Sequence, residues 1–265
     1  FNVTEGGGDS AEVALELMPG NKIRKYDTWH AMGQGATTGS LVVTLEALKE
    51  MHLTPEDIQL IQNDTKTCPD TGMAGASRSL YMDGNATIIA ANKLLAAMRK
   101  EDGTLRTYDE MKAEGIETKY LGRYETNTTP GLCRLDPNTG IGDPTPAFTY
   151  CLNLAEVEVD TKTGKTTVLK FTCVDFVGRI GNIDAVNGQA YSGIMHGIGF
   201  ALKEDYADVK KHANMFGAGT SYIKDVPDDI NLIHIDGAIS DGPFGSSGAS
   251  EAFQASGHCA VLNGI

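Results

Sequence analysis

The chain has 265 residues, 41 % of them hydrophobic and 22 % charged, which is long enough for one large domain or two lobes and argues against disorder. Its formal net charge of −13 repels phosphate backbones and anionic lipid headgroups. Nucleic acid and membrane surfaces are therefore not expected partners.

The cysteine pattern and the chain ends indicate the cellular compartment and whether the chain is part of a longer protein. The five cysteines form no C-x-x-C pair and are odd in number, which argues against a disulfide framework, a structural zinc site or an iron–sulfur cluster and favours a reducing cytoplasm. No run approaches the ~20 apolar residues that would span a bilayer. The chain opens on Phe1 without a signal peptide and ends in a predicted helix, so we expect a segment of a longer polypeptide.

Residues 1–110 are predicted to form a first lobe. Alternating hydrophobicity predicts strands over 11–18 and 22–30, joined by a turn at Pro19-Gly20-Asn21. Then follow a helix to about Met51, a short strand over 58–61 and a long helix over 75–99. Residues 111–145 are polar and rich in Gly and Pro, which predicts an irregular connection.

Residues 146–265 are predicted to form a second lobe. A hairpin is expected between strands 149–159 and 166–176, followed by a helix over 183–205 and a strand over 230–235. A glycine-rich loop over 237–248 then leads into a terminal helix. Both lobes consist of β-hairpins with packed helices, which predicts an α+β fold rather than a doubly wound α/β one.

Three loops of small residues precede predicted helices: Gly33-Gln34-Gly35, 69–78, and 241–250 before Glu251. Such loops let backbone N–H groups approach a ligand, and a helix start favours anions. Taken alone, the first is better explained by a tight turn and the third by a surface carboxylate at a helix start, while helix packing explains the second as well as a ligand does. The first departs from the dinucleotide fingerprint, and no βαβ unit is predicted after it. Together they favour a ligand with several phosphate and ring heteroatoms, held by main chain from both lobes.

In chain order, these segments resemble the motifs of the xanthine oxidase and aldehyde oxidoreductase family of molybdenum hydroxylases, in the C-terminal part of the molybdopterin-binding region. The matching segments are MGQGATTG at 32–39, PDTGMAGASRS at 69–79, VDFVGRIGN with NGQ at 174–189, MHGIGFALKED at 195–205 and DGPFGSSGASE at 241–251. Residues 100–145 match least.

The resemblance implies a molybdopterin cofactor carrying molybdenum, in its cytosine dinucleotide form as in bacterial members. It implies that Glu251 is the catalytic base in the hydroxylation of an aldehyde or an N-heterocycle such as a purine, with water as the oxygen source. No protein ligand to a metal is predicted, because His196 and His258 lack metal-ligand spacing. The residues that would contact the cofactor are Gly33, Gln34, Gly35, Ala76, Ser77, Asn182, Gln189, Gly248, Ala249 and Ser250.

The resemblance also implies partners, and the sequence departs from the family motifs at a few positions. Iron–sulfur clusters are expected only on domains or subunits outside this chain, together with the rest of the molybdenum-binding region, and a homo-oligomer is compatible with the sequence. Ser250 replaces the usual Gly before the catalytic Glu, and Ala252-Phe253 replace a frequent Pro-Pro, which predicts a reshaped substrate side at Phe253 and Gln254. Two alternatives remain: a non-catalytic cofactor-binding domain, and an unrelated nucleotide- or phosphosugar-binding enzyme.

Overall fold

The computed structural model describes residues 9–126, 136–142, 147–239 and 241–265. The chain divides into two compact units, of which unit 1 comprises residues up to 148 together with 238–248. Unit 2 comprises residues 149–237 and 249–265. Each unit combines one small sheet with packed helices, which confirms the predicted α+β class.

Unit 1 is built on a four-stranded sheet in the order β3-β2-β1-β4. The central strands form the predicted hairpin, β4 joins antiparallel to β1, and β3 joins parallel to β2. The elements are β1 (Ser10–Met18), β2 (Lys22–Asp27), α1 (Ala36–Ala47), β3 (Ile58–Gln62), α2 (Ser79–Met98), α3 (Tyr108–Ala113) and β4 (Lys119–Glu125).

Helix α2 covers this sheet with a stripe that recurs at helical spacing. Met82, Ala86, Leu94 and Met98 are buried in the main core of unit 1, as their periodicity predicts. The helix lies so close to β4 that a Cβ at Gly122 would stand 2.0 Å from the carbonyl oxygen of Ala86. A glycine on the strand is therefore what permits this approach.

A buried charge network ties α2 to the hairpin. The Lys25 ammonium lies 2.7 Å from Asp83 Oδ2 and 3.3 Å from Asp27 Oδ2, and all three side chains are fully buried. Burial raises the pKa of Asp83 to about 6, and the attraction of Lys25 opposes this shift. The neighbouring carboxylate of Asp27 also raises this pKa, because one cation is shared by two carboxylates.

Unit 2 is built on a three-stranded sheet in the order β5-β6-β7. Strands β5 and β6 form the predicted antiparallel hairpin, with a bulge at Glu156/Val157, and β7 pairs parallel to β6. The elements are β5 (Tyr150–Val159), β6 (Thr166–Phe176), α4 (Ile183–Leu202), α5 (Met215–Ala218), β7 (Asp229–His234) and α6 (Ser250–Gly264).

Helices α4 and α6 pack against each other through glycines. A Cβ at Gly193 would stand 2.5 Å from the Cβ of Phe253, and one at Gly197 would stand 3.0 Å from Gly257 Cα. Phe253 is completely buried in this contact. The expectation that Phe253 reshapes a substrate side is therefore wrong, because its side chain is buried in the core of unit 2. Gln254 is exposed.

The division of the chain differs from the predicted one in two places. Residues 111–145 were expected to be irregular, but β4 lies there and completes the sheet, while 127–135 and 143–146 lie outside the described residues. The loop 241–248 was expected in the second lobe, yet it belongs to unit 1. There Pro243 packs on Gly84, and Asn85 Nδ2 donates to the carbonyl oxygen of Asp241 at 3.1 Å.

A βαβ crossover occurs in each unit, although none was predicted after the Gly33-Gln34-Gly35 loop. In unit 1 the chain passes from β2 through α1 to the parallel strand β3, and in unit 2 from β6 through α4 to β7. The prediction failed because β3 has only five residues and its pairing partner cannot be read from local hydrophobicity. Within the described residues, no helix is both long and apolar enough to cross a membrane.

We expect the stability of unit 1 to depend on pH through Asp83. Its pKa is raised in the folded state, so the folded protein retains a proton that the unfolded chain releases. The free energy of unfolding should therefore fall as the pH rises from about 4 to about 6, by up to about 3 kcal/mol from this group. Asp83→Asn should remove that decline in urea titrations across this pH range. The exposed Asp109→Asn should keep it, and an unchanged decline in Asp83→Asn would contradict the assignment.

Two glycines on α4 provide a matched test of the helix interface in unit 2. Gly193→Ala should lower the free energy of unfolding by about 1–3 kcal/mol, because the new methyl overlaps Phe253. Gly188→Ala, with nothing within 4 Å of its added Cβ, should instead raise it by about 0.5–1 kcal/mol, since alanine favours helix. Urea unfolding of both variants makes the comparison. Equal effects would rule out the close packing described here.

Candidate functional site

The Gly33-Gln34-Gly35 loop of unit 1 lies where β2 has ended and α1 begins. Gly33 and Gly35 have φ values of 104° and 87°, in the left-handed region that glycine adopts without strain. A Cβ at Gly33 would meet nothing within 4 Å, so the backbone here borders open space. A strand end followed by a glycine loop and a helix start is where α/β crossovers bind anionic ligands.

The side chain of Gln34 turns back on its own loop. Its Oε1 accepts from the backbone N–H of Met32 and its Nε2 donates to the carbonyl oxygen of His30, both at 2.5 Å. The resemblance implies that Gln34 contacts the cofactor, and both polar atoms of its side chain bond within the loop. Gln34 therefore fixes the loop conformation.

The second small-residue loop of unit 1 is held by Arg78. This buried guanidinium forms a two-pronged ion pair with Asp9, with Nη2 2.8 Å from Oδ1, and its Nη1 donates to the carbonyl oxygens of Thr71 and Met73. Ala76 and Ser77, next to it, adopt left-handed φ values of 50° and 52°. Non-glycine residues in this region mark a constrained backbone. Arg78 was not among the predicted site residues, although the loop sequence contains it.

The third loop reaches the second within unit 1. A Cβ at Gly248 would stand 1.9 Å from the carbonyl oxygen of Ser77, so only glycine fits at this position. The structure thus brings together Ser77 and Gly248, two predicted site residues that lie far apart in sequence. The loop is itself buried at Ser246 and Ser247.

In unit 2, the predicted site residues lie in the N-terminal parts of α4 and α6. Asn182 is the N-cap of α4, where its Oδ1 accepts from the backbone N–H of Ala185 at 3.0 Å. Ser250 Oγ donates to Gln189 Oε1 at 2.6 Å and joins the start of α6 to the second turn of α4. Ala249 packs against the core of this unit.

Glu251 lies in the first turn of α6 and is exposed. Ala249, the N-cap residue, supplies no side-chain hydrogen bond to the helix start. The N-terminus of a helix favours a negative charge nearby. A carboxylate that is exposed, anchored by a helix and next to the Ser250–Gln189 contact can accept a proton from a bound molecule.

A buried polar cluster at the carboxyl end of the unit 2 sheet was missed from sequence. His234 Nδ1 lies 2.7 Å from Asp175 Oδ2, and His234 Nε2 lies 2.7 Å from Asn187 Oδ1. Burial raises the pKa of Asp175, and His234 opposes that shift. The sequence offered one sign of this cluster, the acidic residue Asp175 before the Gly178-Arg179 segment. Its partner His234 could not be identified from sequence, because the two residues meet only when β7 pairs with β6. Among the described residues, no group of three or more His, Cys, Asp or Glu could hold a metal ion.

A glycine loop at a crossover and two interlocked small-residue loops define unit 1 as a cofactor-binding type of domain. The model of the molybdopterin cofactor-binding domain family matches residues 1–227. The chain belongs to this family.

Relatives agree with that assignment. The chain is 40 % identical over 259 residues to an aldehyde oxidoreductase of Megalodesulfovibrio gigas, spanning 98 % of this chain and 28 % of that protein. It is 29 % identical over 238 residues to a probable hypoxanthine oxidase of Escherichia coli K12, spanning 84 % of this chain and 25 % of that protein. The chain thus covers just over a quarter of such relatives.

Solved structures share the fold. The aldehyde oxidoreductase of Desulfovibrio desulfuricans superposes with a TM-score of 0.92 at 41 % identity, over 99 % of this chain and 28 % of that one. A copper- and molybdenum-containing carbon monoxide dehydrogenase superposes with a TM-score of 0.76 at 16 % identity, over 95 % of this chain and 34 % of that one, which concerns the fold alone.

Two glycines test the interlocked loops. Gly248→Ala should destabilise unit 1 by about 1–3 kcal/mol or more, because its methyl overlaps the Ser77 carbonyl group. Gly75→Ala, which adds a Cβ to the second loop with nothing within 4 Å, should stay within about 0.5 kcal/mol of the unchanged chain. Urea unfolding together with hydrogen exchange of residues 71–78 measures both. Full protection of that segment in Gly248→Ala would show that the two loops do not interlock.

Proposed function

We propose that the protein carrying this chain is a molybdenum hydroxylase that oxidises an aldehyde with water as the oxygen source. The observation that carries the proposal is the likeness to aldehyde oxidoreductases, at 40 % identity over 98 % of the chain. The likeness to a probable hypoxanthine oxidase supports a second candidate, the oxidation of a purine.

The loops of unit 1 fit a molybdopterin cofactor. The open space beside Gly33 leaves room for a bulky ligand, and the position of Gly248 against Ser77 keeps a side chain out of the loop surface. Phosphate and ring heteroatoms would be held chiefly by backbone N–H groups, as at other glycine-rich anion sites. The residues proposed to hold the cofactor are Gly33, Gln34, Gly35, Ala76, Ser77 and Gly248 in unit 1, and Asn182, Gln189, Ala249 and Ser250 in unit 2.

When bound, the cofactor supplies the redox chemistry and the activation of water. The residue of this chain that acts in the reaction is Glu251, whose carboxylate accepts the proton released as the oxygen atom is transferred to substrate. Ser250 restrains the first turn of α6 through its hydrogen bond to Gln189, so that Glu251 is presented from a fixed helix start. Gln34 and Asn182 act by shaping their loops, since their side chains bond to nearby backbone.

Further assignments extend the proposal beyond this chain. The cofactor is proposed to be the cytosine dinucleotide form, because the relatives compared above are bacterial proteins. Electrons would leave through iron–sulfur clusters on other domains or subunits, and self-association into a homo-oligomer is compatible with the proposal. The cysteine pattern, with no C-x-x-C pair, favours the cytoplasm.

The intact protein that carries these residues, made in a host that synthesises the cofactor, provides the test. We expect near-stoichiometric molybdenum and pterin, and turnover of an aldehyde with an artificial electron acceptor. Glu251→Gln should keep the metal and lose about 10²- to 10⁴-fold in turnover, because a general base is removed. Asp109→Asn is the matched control, since Asp109 is also an exposed carboxylate in the first turn of a helix.

Each alternative predicts a different result. A Glu251→Gln variant that keeps more than about a tenth of the turnover would remove Glu251 from the base role. A protein that binds the cofactor and oxidises neither aldehydes nor purines would be the non-catalytic domain. Folded protein without molybdenum that binds a free nucleotide would favour the unrelated nucleotide-binding enzyme.

A further inference from the structure

Unit 2 holds two cysteines side by side on its hairpin. Cys151 on β5 and Cys173 on β6 have their sulfur atoms 3.4 Å apart. The strand register pairs Cys173 with Asn153, so the two cysteines are diagonal neighbours on the same face of the sheet. That face packs against α6, where Asn153 Nδ2 donates to Ser256 Oγ at 2.7 Å.

The two thiols have unequal surroundings. Cys173 is fully buried, whereas Cys151 is only partly buried. The hydrogen bond from Cys173 lowers the pKa of Cys151, while the same contact and burial raise the pKa of Cys173. The contact therefore favours the thiolate at Cys151, the less buried of the two sulfur atoms.

We propose that Cys151 and Cys173 form a redox-active dithiol that reacts with hydroperoxides. The Cys151 thiolate attacks one oxygen of hydrogen peroxide and the O–O bond breaks. The departing hydroxide takes up a proton and leaves as water. The resulting sulfenic acid on Cys151 is then attacked by Cys173, which gives up its proton as the S–S bond forms and a second water is released. The two thiols lose two electrons in total, and the peroxide is reduced to two molecules of water.

The geometry supports closure of the disulfide. The sulfur atoms are 3.4 Å apart, so a disulfide bond of about 2.05 Å requires them to approach by about 1.4 Å. The bond would link β5 covalently to β6 on the face that packs against α6, the helix whose first turn contains Glu251. The inference concerns these cysteines alone and does not depend on the proposed molybdenum chemistry.

Other cysteines provide internal comparisons. Cys68 is also half-buried, but its thiol donates to the carbonyl oxygen of Ile61 at 3.2 Å. Cys259 is exposed and lies 3.4 Å from His258 Nε2. Cys133 lies outside the described residues.

The test is a peptide map of the intact protein. Reduced protein is treated with increasing hydrogen peroxide, free thiols are blocked with iodoacetamide, and the digest is analysed by mass spectrometry. We expect a linked Cys151–Cys173 peptide that dithiothreitol separates, formed at peroxide doses no higher than those that oxidise Cys259. Cys173→Ala should lose the linked peptide and accumulate a sulfenic acid on Cys151 that dimedone traps. Cys68→Ala, the matched control, should leave the yield of linked peptide unchanged.

One result overturns the inference directly. If both Cys151 and Cys173 in the unsubstituted protein remain open to iodoacetamide after unfolding, at doses that have already oxidised Cys259, the pair is packing and not a redox site. This comparison needs no variant, so it decides the question even if Cys173→Ala fails to fold.

Discussion

Each unit depends on a buried aspartate near the carboxyl end of the strand that precedes its crossover helix: Asp27 on β2 in unit 1 and Asp175 on β6 in unit 2. In unit 1 Asp27 accepts from Gln62 Nε2 at 2.8 Å, and Gln62 is its register partner on the parallel strand. In unit 2 Asp175 lies 2.7 Å from His234, again its register partner on the parallel strand. A carboxylate removed from water costs several kcal/mol unless it is paired or hydrogen-bonded. The parallel strand of each crossover therefore supplies one of the hydrogen bonds that offset the cost of burying this carboxylate.

The helix of each crossover completes the same arrangement. Ser40, the fifth residue of α1, donates to Asp27, and Asn187, the fifth residue of α4, contacts His234. Apart from the four-residue helix α5, both units thus begin with the order strand, strand, helix, strand and helix. A small-residue loop precedes α2, and another, which belongs to unit 1, precedes α6. Because polar side chains fix the strand ends and helix starts, the loops between them are held in place without an apolar core of their own. Loops of this kind can present backbone N–H groups in a fixed geometry, which is what binding a large anionic cofactor requires.

The sequence predicted the elements well and their partners less well. The hairpin of β5 and β6, the long helix α2 and the glycine loops follow from alternation, helical spacing and turn chemistry. The parallel pairing of β3 with β2 and the strand β4 do not, because pairing between distant segments leaves little trace in local hydrophobicity. The loop 241–248 joined unit 1 for a similar reason, since its placement depends on Pro243 meeting Gly84. Phe253 was misjudged because its burial depends on the close approach of α6 to Gly193 on α4, which local sequence does not reveal.

The candidate site shows the same limit in sharper form. Motifs located its loops, yet the side chains with the richest hydrogen-bonding chemistry, Gln34 and Asn182, are bonded to nearby backbone. What remains to face a ligand is largely main chain, and its N–H groups are the same whatever the residue type. In unit 1 the shape of the loops depends on Gly33 for its positive φ, on Arg78 for its hydrogen bonds to the second loop, and on Gly248 for its lack of a side chain. Glu251, the proposed base, would be the exception, because proton transfer needs a side-chain carboxylate. Loops that act through their shape, together with one carboxylate at a helix start, are the pattern expected when a cofactor brings the chemistry and the protein supplies position and a proton acceptor.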